Sequence, residues 1–439
     1  MRPLHAVALV AALAGLLLGC EGTVSDAVGG PGGAGGAGPS AGGGAGAGAG
    51  GPHPELSMPD ASTAKADAGE ALDAGATTDA GPRDAGPLDA GVTADAGPPD
   101  AGPVPPRRAR LLMFARAGTL NAQSLSGAGR TTFESTFPFV DGAMISIPLS
   151  SDVVSSVSID EATAQAQLAP VANLASTVLK ENFLVVYCDH GTFPDMFGDW
   201  SVVTENFRKF AAVARAAGFK GLAFDNEAYG PSWGNWPDDV KDKARTLREY
   251  QDQARARGKQ LMQAMVAVFP DIAVITLHGP YISEPRSAQH AVYYSGPYSE
   301  LLGPLFAGFL EGAGPTSLVV DGGEIYGLTA KSEFEAAYAW QRLGMADDAT
   351  DCAFIPPALR PVWRARVSVG WGITNVPFPN VPYPNRPEDP ASLGLQVRNA
   401  LGRADDYVWL FPDPSVFGFT PDARTAIADA KRQYLLAAP

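Results

Sequence analysis

The chain is predicted to be an α/β protein, a (β/α)8 barrel of the TIM type, preceded by a leader and a long tether. Three observations carry this. From Ala109 to Pro439, short apolar runs of strand length alternate with amphipathic helical stretches about eight times. Several of these runs end in carboxylates, as in Gly221-Leu222-Ala223-Phe224-Asp225-Asn226-Glu227. The alternative, an open doubly wound sheet, would carry a Gly-rich phosphate loop after its first strand, and none follows here.

Leu111–Phe114 is the first expected strand and Ala143–Ile147 the second, with little helix between Ala115 and Val140. A helical stretch from about Ile159 to Leu179 leads to a third strand, Phe183–Tyr187, ending in Cys188-Asp189-His190-Gly191. The next helix, from about Val203 to Ala217, spaces Phe207, Phe210, Ala211 and Ala214 three and four apart, and Gly218 stands where a C-cap is expected. Gly221–Glu227 is the fourth strand. A helix over Asp239–Arg257 is expected to stop at Gly258, with Gln260–Val266 as the fifth strand. A long insertion rich in Tyr, Pro and Gly follows, with an apolar helix near Leu301–Leu310. Ser317–Val320 is the sixth strand, ending in Asp321-Gly322-Gly323-Glu324, and a helix covers Lys331–Leu343. Arg366–Gly370, the seventh, ends at Trp371; Leu393–Leu401 is helical. Tyr407–Phe411 is the eighth strand, ending in Pro412-Asp413, and a helix from about Pro421 to Leu435 closes the chain.

The N-terminus reads as a secretion leader: Arg2, then an apolar run from Ala6 to Leu18, too short for a comfortable membrane span. Leu17-Leu18-Gly19-Cys20 resembles the lipobox of bacterial lipoproteins. That resemblance implies residues 1–20 as a signal peptide, cleavage before Cys20, and lipidation of its thiol. The mature chain is then held at the cell envelope by acyl chains, the outer membrane or cell surface being favoured. Residues 21–108 hold no core: Gly, Ala and Pro dominate, and Asp-Ala-Gly recurs from Asp67 to Asp100. Such a segment buries too little apolar surface to offset chain entropy and reads as an acidic, disordered tether. The net charge of −15 is shared between tether and domain, without a basic stripe, which argues against nucleic acid as a partner. Cys188 and Cys352 lie in an oxidising compartment, but the strand order places them near opposite ends of the barrel.

In a barrel of this kind the active site lies at the C-terminal ends of the strands. The third strand delivers Asp189 and His190; the fourth Asp225, Asn226 and Glu227; the sixth Asp321 and Glu324; the seventh Trp371; the eighth Asp413. Strand alternation turns Ala223, Asp225 and Glu227 to one face. Nearby loops add Tyr229, Trp233, Trp236, His278 and Tyr326. Carboxylates from several strands, ringed by aromatics, suit glycoside hydrolysis. One acid protonates the leaving oxygen, a second stabilises or traps the sugar cation, and aromatic faces stack on pyranose rings. There is no His-Glu-x-x-His, no cysteine pair at zinc spacing and no Gly-x-Ser-x-Gly, so a serine nucleophile lacks its marker, no cofactor is expected and a metal-dependent hydrolase is disfavoured, a carboxylate-bound metal such as Ca²⁺ staying as an alternative.

Gly221–Glu227 resembles the fourth-strand signature of the chitinase-like family 18 glycoside hydrolases, with acids at alternate positions ending in a glutamate. The resemblance implies Glu227 as general acid/base and Asp225 as its helper. Ala223 stands where the family has a further acid, and Asn226 where it has Trp. Asn226-Glu227 is also similar to the pair ending the fourth strand in the large retaining-glycosidase clan, but Arg366–Asn375 lacks that clan's seventh-strand acid. The expectation is a glycoside hydrolase-like lipoprotein acting on an extracellular or envelope polysaccharide. Glu227, Asp225, Asp321 and Glu324 are the catalytic candidates. Asn226, Tyr229, Trp233, Trp236, Asp189, His190, Tyr326, Trp371 and Asp413 are expected to bind substrate. The alternative is a non-catalytic barrel that binds glycan at the cell surface.

Overall fold

The computed structural model describes residues 108–115, 118–174, 177–188, 194–227, 234–283, 299–347, 352, 354–375, 389–413 and 415–437. The leader with Cys20, nearly all of the tether, and Asp189, His190, Tyr229 and Trp233 lie outside the described residues.

Among the described residues, nine parallel strands form a nearly closed barrel in the order β7-β6-β5-β4-β3-β2-β1-β9-β8. They are β1 Arg110–Met113, β2 Gly142–Ile145, β3 Phe183–Tyr187, β4 Gly221–Asp225, β5 Ala273–Thr276, β6 Leu318–Asp321, β7 Val367–Val369, β8 Trp371–Thr374 and β9 Tyr407–Phe411. The helices are α1 Gly127–Thr136, α2 Glu161–Leu168, α3 Ser201–Ala216, α4 Leu247–Val268, α5 Leu302–Gly312, α6 Lys331–Ala339, α7 Arg360–Arg366, α8 Pro390–Leu401 and α9 Pro421–Ala437.

Strand alternation sorts the core into two layers. Leu112, Met144, Val185, Ala223, Ile275, Val320 and Trp409 fill the barrel interior. Val185, Ala223, Ile275 and Val320 stand side by side across β3 to β6. Leu111, Ile145, Leu184, Leu222, Phe224, Val274 and Val319 face outward and pack under the helices.

β7 and β8 are successive halves of one barrel position. β7 pairs with β6 and β8 with β9, and between them Gly370 donates to the Asp321 carbonyl at 2.7 Å. A Cβ at Gly370 would lie 2.7 Å from the Tyr407 carbonyl, so the seam closes only on a glycine. The seventh strand therefore does not end at Trp371 but runs on to Thr374. Trp371 sits mid-strand, 1% exposed, edge-on to Phe334 of α6 at 5.3 Å.

The fifth unit also differs from expectation. Gly258 does not stop a helix: α4 runs unbroken from Leu247 to Val268, capped by Thr246 and Glu249 in a reciprocal box. Gly258 is there for close approach to α5. A Cβ on it would stand 2.0 Å from the Leu305 carbonyl, and one on Gly308 2.0 Å from the Arg255 carbonyl. The apolar run Leu261, Met262 and Met265 is the buried face of that helix, and β5 lies at Ala273–Thr276. The weak first unit does contain a helix, α1, anchored by Phe133.

Candidate active site

The revised β5 moves His278 from a loop insertion to the C-terminal mouth, two residues past the strand. There it meets the ends of β4 and β6. β4 carries Asp225 as its last residue, on the inward side set by Ala223, and Glu227 follows. His278 Nε2 is hydrogen-bonded to Glu227 Oε1 and stands 3.8 Å from Glu324 Oε2. The three side chains are 17%, 11% and 8% exposed for Glu227, His278 and Glu324. One donor atom from each lies within 4.8 Å of the other two, so these residues could hold a metal ion.

Asn226 points the other way and is buried. Its amide donates to the His278 carbonyl at 2.9 Å, and its oxygen accepts from the His278 N–H at 2.9 Å. Expected as a substrate contact, it instead joins the ends of β4 and β5 and sets the His278 backbone.

Glu324 owes its position to the turn after β6. Gly323 and Tyr326 both take left-handed backbone (φ 61° and 50°), a conformation that costs an L residue such as Tyr326 about 1 kcal/mol. The turn carries the Tyr326 ring back over the barrel interior, where it lies edge-on to Trp409 at 5.8 Å and stacked on Phe411 at 6.4 Å. Its hydroxyl donates to Glu324 Oε1 at 2.6 Å. Phe114 packs against both Trp409 and Phe411 at 5.7 Å, completing an aromatic floor.

Asp321 is not part of the inward cluster. With Val320 turned inward, Asp321 faces the wall, wholly buried, its Oδ1 accepting from the Gly323 N–H at 3.0 Å. A Cβ on Gly279 would fall 1.8 Å from that oxygen, so the carboxyl fits only under a glycine. Of the two acids expected on the sixth strand, Glu324 is the one beside Glu227.

The electrostatics follow from burial and crowding. Burial raises Asp225 well above the usual carboxylate range, and the Glu227 and Glu324 charges add to it. Burial likewise lifts Glu324 to about 7, against the pull of His278 and the Tyr326 hydroxyl. Asp321 also rises to about 7, through burial. For His278, burial works downward, but Glu324, Glu227 and Asp225 together carry it up to about 9.

The remaining candidates lie elsewhere. Trp371 is in the outer layer, so it cannot be a sugar platform at the mouth. Trp236 is part-buried, its indole donating to the Arg245 carbonyl at 3.3 Å and its backbone N–H to Glu300 at 2.9 Å. Asp413 exchanges main-chain hydrogen bonds with the Asn375 side chain beyond β9. Cys188 and Cys352 are both buried as thiols. The sequence shows His278 only as a loop histidine, because the apolar run at Gln260–Val266 reads as the fifth strand. Phe114 and Phe411 are not singled out there, though strand alternation places them inward, two residues beyond Leu112 and Trp409.

No protein-family model and no curated protein matches the chain. Among solved structures it is similar to a glycoside hydrolase family 5 subfamily 18 enzyme from Streptomyces cattleya in complex with Manβ1-4GlcNAc. That match has 14% identity, covers 75% of this chain and 82% of the other, and has a TM-score of 0.45. A family 5 enzyme from Prevotella bryantii, in complex with a xyloglucan tetradecasaccharide, matches at 11% identity over 73% and 95% of the two chains (TM-score 0.38). A D-allulose 3-epimerase from a Methylomonas species matches at 12% identity over 75% and 98% (TM-score 0.38).

Proposed function

We propose that the barrel hydrolyses glycosidic bonds of an extracellular or envelope polysaccharide, using Glu227 and Glu324 as its carboxyl pair. One observation carries this reading: two glutamates from the ends of β4 and β6 face each other at the barrel mouth with oxygens within 4.8 Å. Inversion needs carboxyl groups about 6.5–9.5 Å apart to admit a water between them, so a closer pair suits retaining hydrolysis.

In this scheme Glu324, buried and bonded to the Tyr326 hydroxyl, gives its proton to the leaving oxygen. Glu227, hydrogen-bonded to His278, attacks the anomeric carbon as the carboxylate. The glycosyl–oxygen bond breaks as the ester forms. Glu324 then takes a proton from water, whose oxygen displaces Glu227. This reverses the part the fourth-strand resemblance implies for Glu227. Asp225, buried against both glutamates, tunes the pair. On the leader alone, the protein works tethered to the envelope through a lipid on Cys20.

The test counts reducing ends released from a broad panel of polysaccharides by the full chain and by its Glu227→Gln variant. Release by the native protein alone supports the reading, and the glycan that yields it names the substrate. Glycan retained in a pull-down but cut by neither protein would replace it with a binding barrel.

A further inference from the structure

The Glu227–His278–Glu324 triangle has a second property. Its donors are two carboxylate oxygens and an imidazole nitrogen, each from a different strand end. Glu324 spends only one oxygen on Tyr326. The other, Oε2, is buried, turned toward His278 Nε2 at 3.8 Å, and has no hydrogen-bond partner among the described residues. A buried carboxyl oxygen without a hydrogen-bond donor is a standing cost, only partly offset by His278 at 3.8 Å, that a directly bound cation removes.

We propose that this triangle binds a divalent transition ion, of which Zn²⁺ is the type, and that the bound ion switches the barrel off by sequestering both glutamates. The second half rests on the glycosidase reading above; the first does not. Binding displaces the His278 proton to solvent, and the imidazole so freed, beside two carboxylates, favours a borderline ion over Ca²⁺ or Mg²⁺, which take all-oxygen shells. Three protein donors with a fourth position open is ordinary zinc geometry, and ligation at about 2.1 Å needs only small side-chain movements from the present spacing. The ion would draw both carboxylates to itself, leaving neither to protonate nor to attack a sugar. Asn226 supports the site indirectly, because it sets the backbone that carries the imidazole.

The experiment is calorimetric titration of Zn²⁺ into the metal-stripped full chain, its His278→Ala variant and its Glu324→Gln variant, with circular dichroism to check that each is folded. One saturable Zn²⁺ site is expected in the native chain, weakened at least about tenfold in both variants. Ca²⁺ is expected not to compete. No saturable site, or the same affinity in native chain and folded variants, would overturn the proposal. Reducing-end assays with chelator and with Zn²⁺ give the second readout. Hydrolysis in chelator that is lost on adding Zn²⁺ supports the switch. Hydrolysis that requires Zn²⁺ would overturn both the switch and the carboxylate-only mechanism. Saturable binding without hydrolysis in either condition would overturn the proposed function and leave the site standing.

Discussion

The Asn226 side chain holds the main chain of His278 from both sides, donating to its carbonyl and accepting from its N–H, each at 2.9 Å. The two peptides that flank the His278 Cα are thereby fixed across the ends of β4 and β5, and with them the imidazole that meets Glu227. Asn226→Ala is expected to lower kcat by about 10–100-fold through misplacement of His278 and to cost about 1–3 kcal/mol of stability for the buried groups left unmet. Asn226→Asp keeps the shape but sets a carboxylate oxygen against the His278 carbonyl, so it should do no better. Kinetics alongside denaturant unfolding separate the two effects.

The glutamate pair predicts an asymmetric rescue. Glu227→Gln and Glu324→Gln should each lower kcat by about 10²–10⁴-fold. With azide as an external nucleophile, Glu227→Ala should recover turnover and yield a glycosyl azide of inverted configuration. Glu324→Ala should give the retained azide, and only from substrates with good leaving groups. The opposite pattern would return the acid role to Glu227.

Gly258 sets helix propensity against packing. In an exposed helix Gly→Ala would gain about 1 kcal/mol. Here the added methyl would fall 2.0 Å from the Leu305 carbonyl of α5. Gly258→Ala, and likewise Gly308→Ala, should therefore destabilise by about 1–3 kcal/mol, read from the denaturation midpoint at constant m.

Asp160 caps α2, its Oδ2 accepting from the Thr163 hydroxyl at 2.6 Å and N–H at 2.9 Å. Those bonds lower its pKa below the usual aspartate value. A depressed carboxylate contributes stability that is present above its unfolded pKa and is lost as pH falls through the folded one. Asp160→Ala should therefore lower Tm by about 2 °C at neutral pH, and the difference should narrow as pH falls through the folded pKa. A difference that persists in acid would mean that the side chain acts otherwise than as a charged cap.

Much of the barrel was legible because its signals are local. β3 and β9 fall at Phe183–Tyr187 and Tyr407–Phe411, where the apolar runs were read. The inward turn of Asp225 follows from the two-residue period of a strand, and Ala223 in the barrel interior agrees with it. Glu227 and Glu324 were readable as acids that follow apolar runs, a local signal that does not say which face Glu324 takes.

What the sequence by itself determined was the rhythm of strand and helix outside the fifth unit, the shared face of Ala223, Asp225 and Glu227, and the supply of acids at strand ends. Tertiary structure alone decided the rest. Gly258 has one meaning as a helix terminator and another as a contact for α5, and only the neighbouring helix distinguishes them. That choice moved β5, and with it His278, into the cluster. Asp321 and Glu324 are equivalent as residues three apart after an apolar run. The left-handed turn through Gly323 and Tyr326 sends one into the wall beneath Gly279 and the other to within 4.8 Å of Glu227. Such outcomes depend on contacts between residues distant in the chain, which periodicity and propensity do not encode.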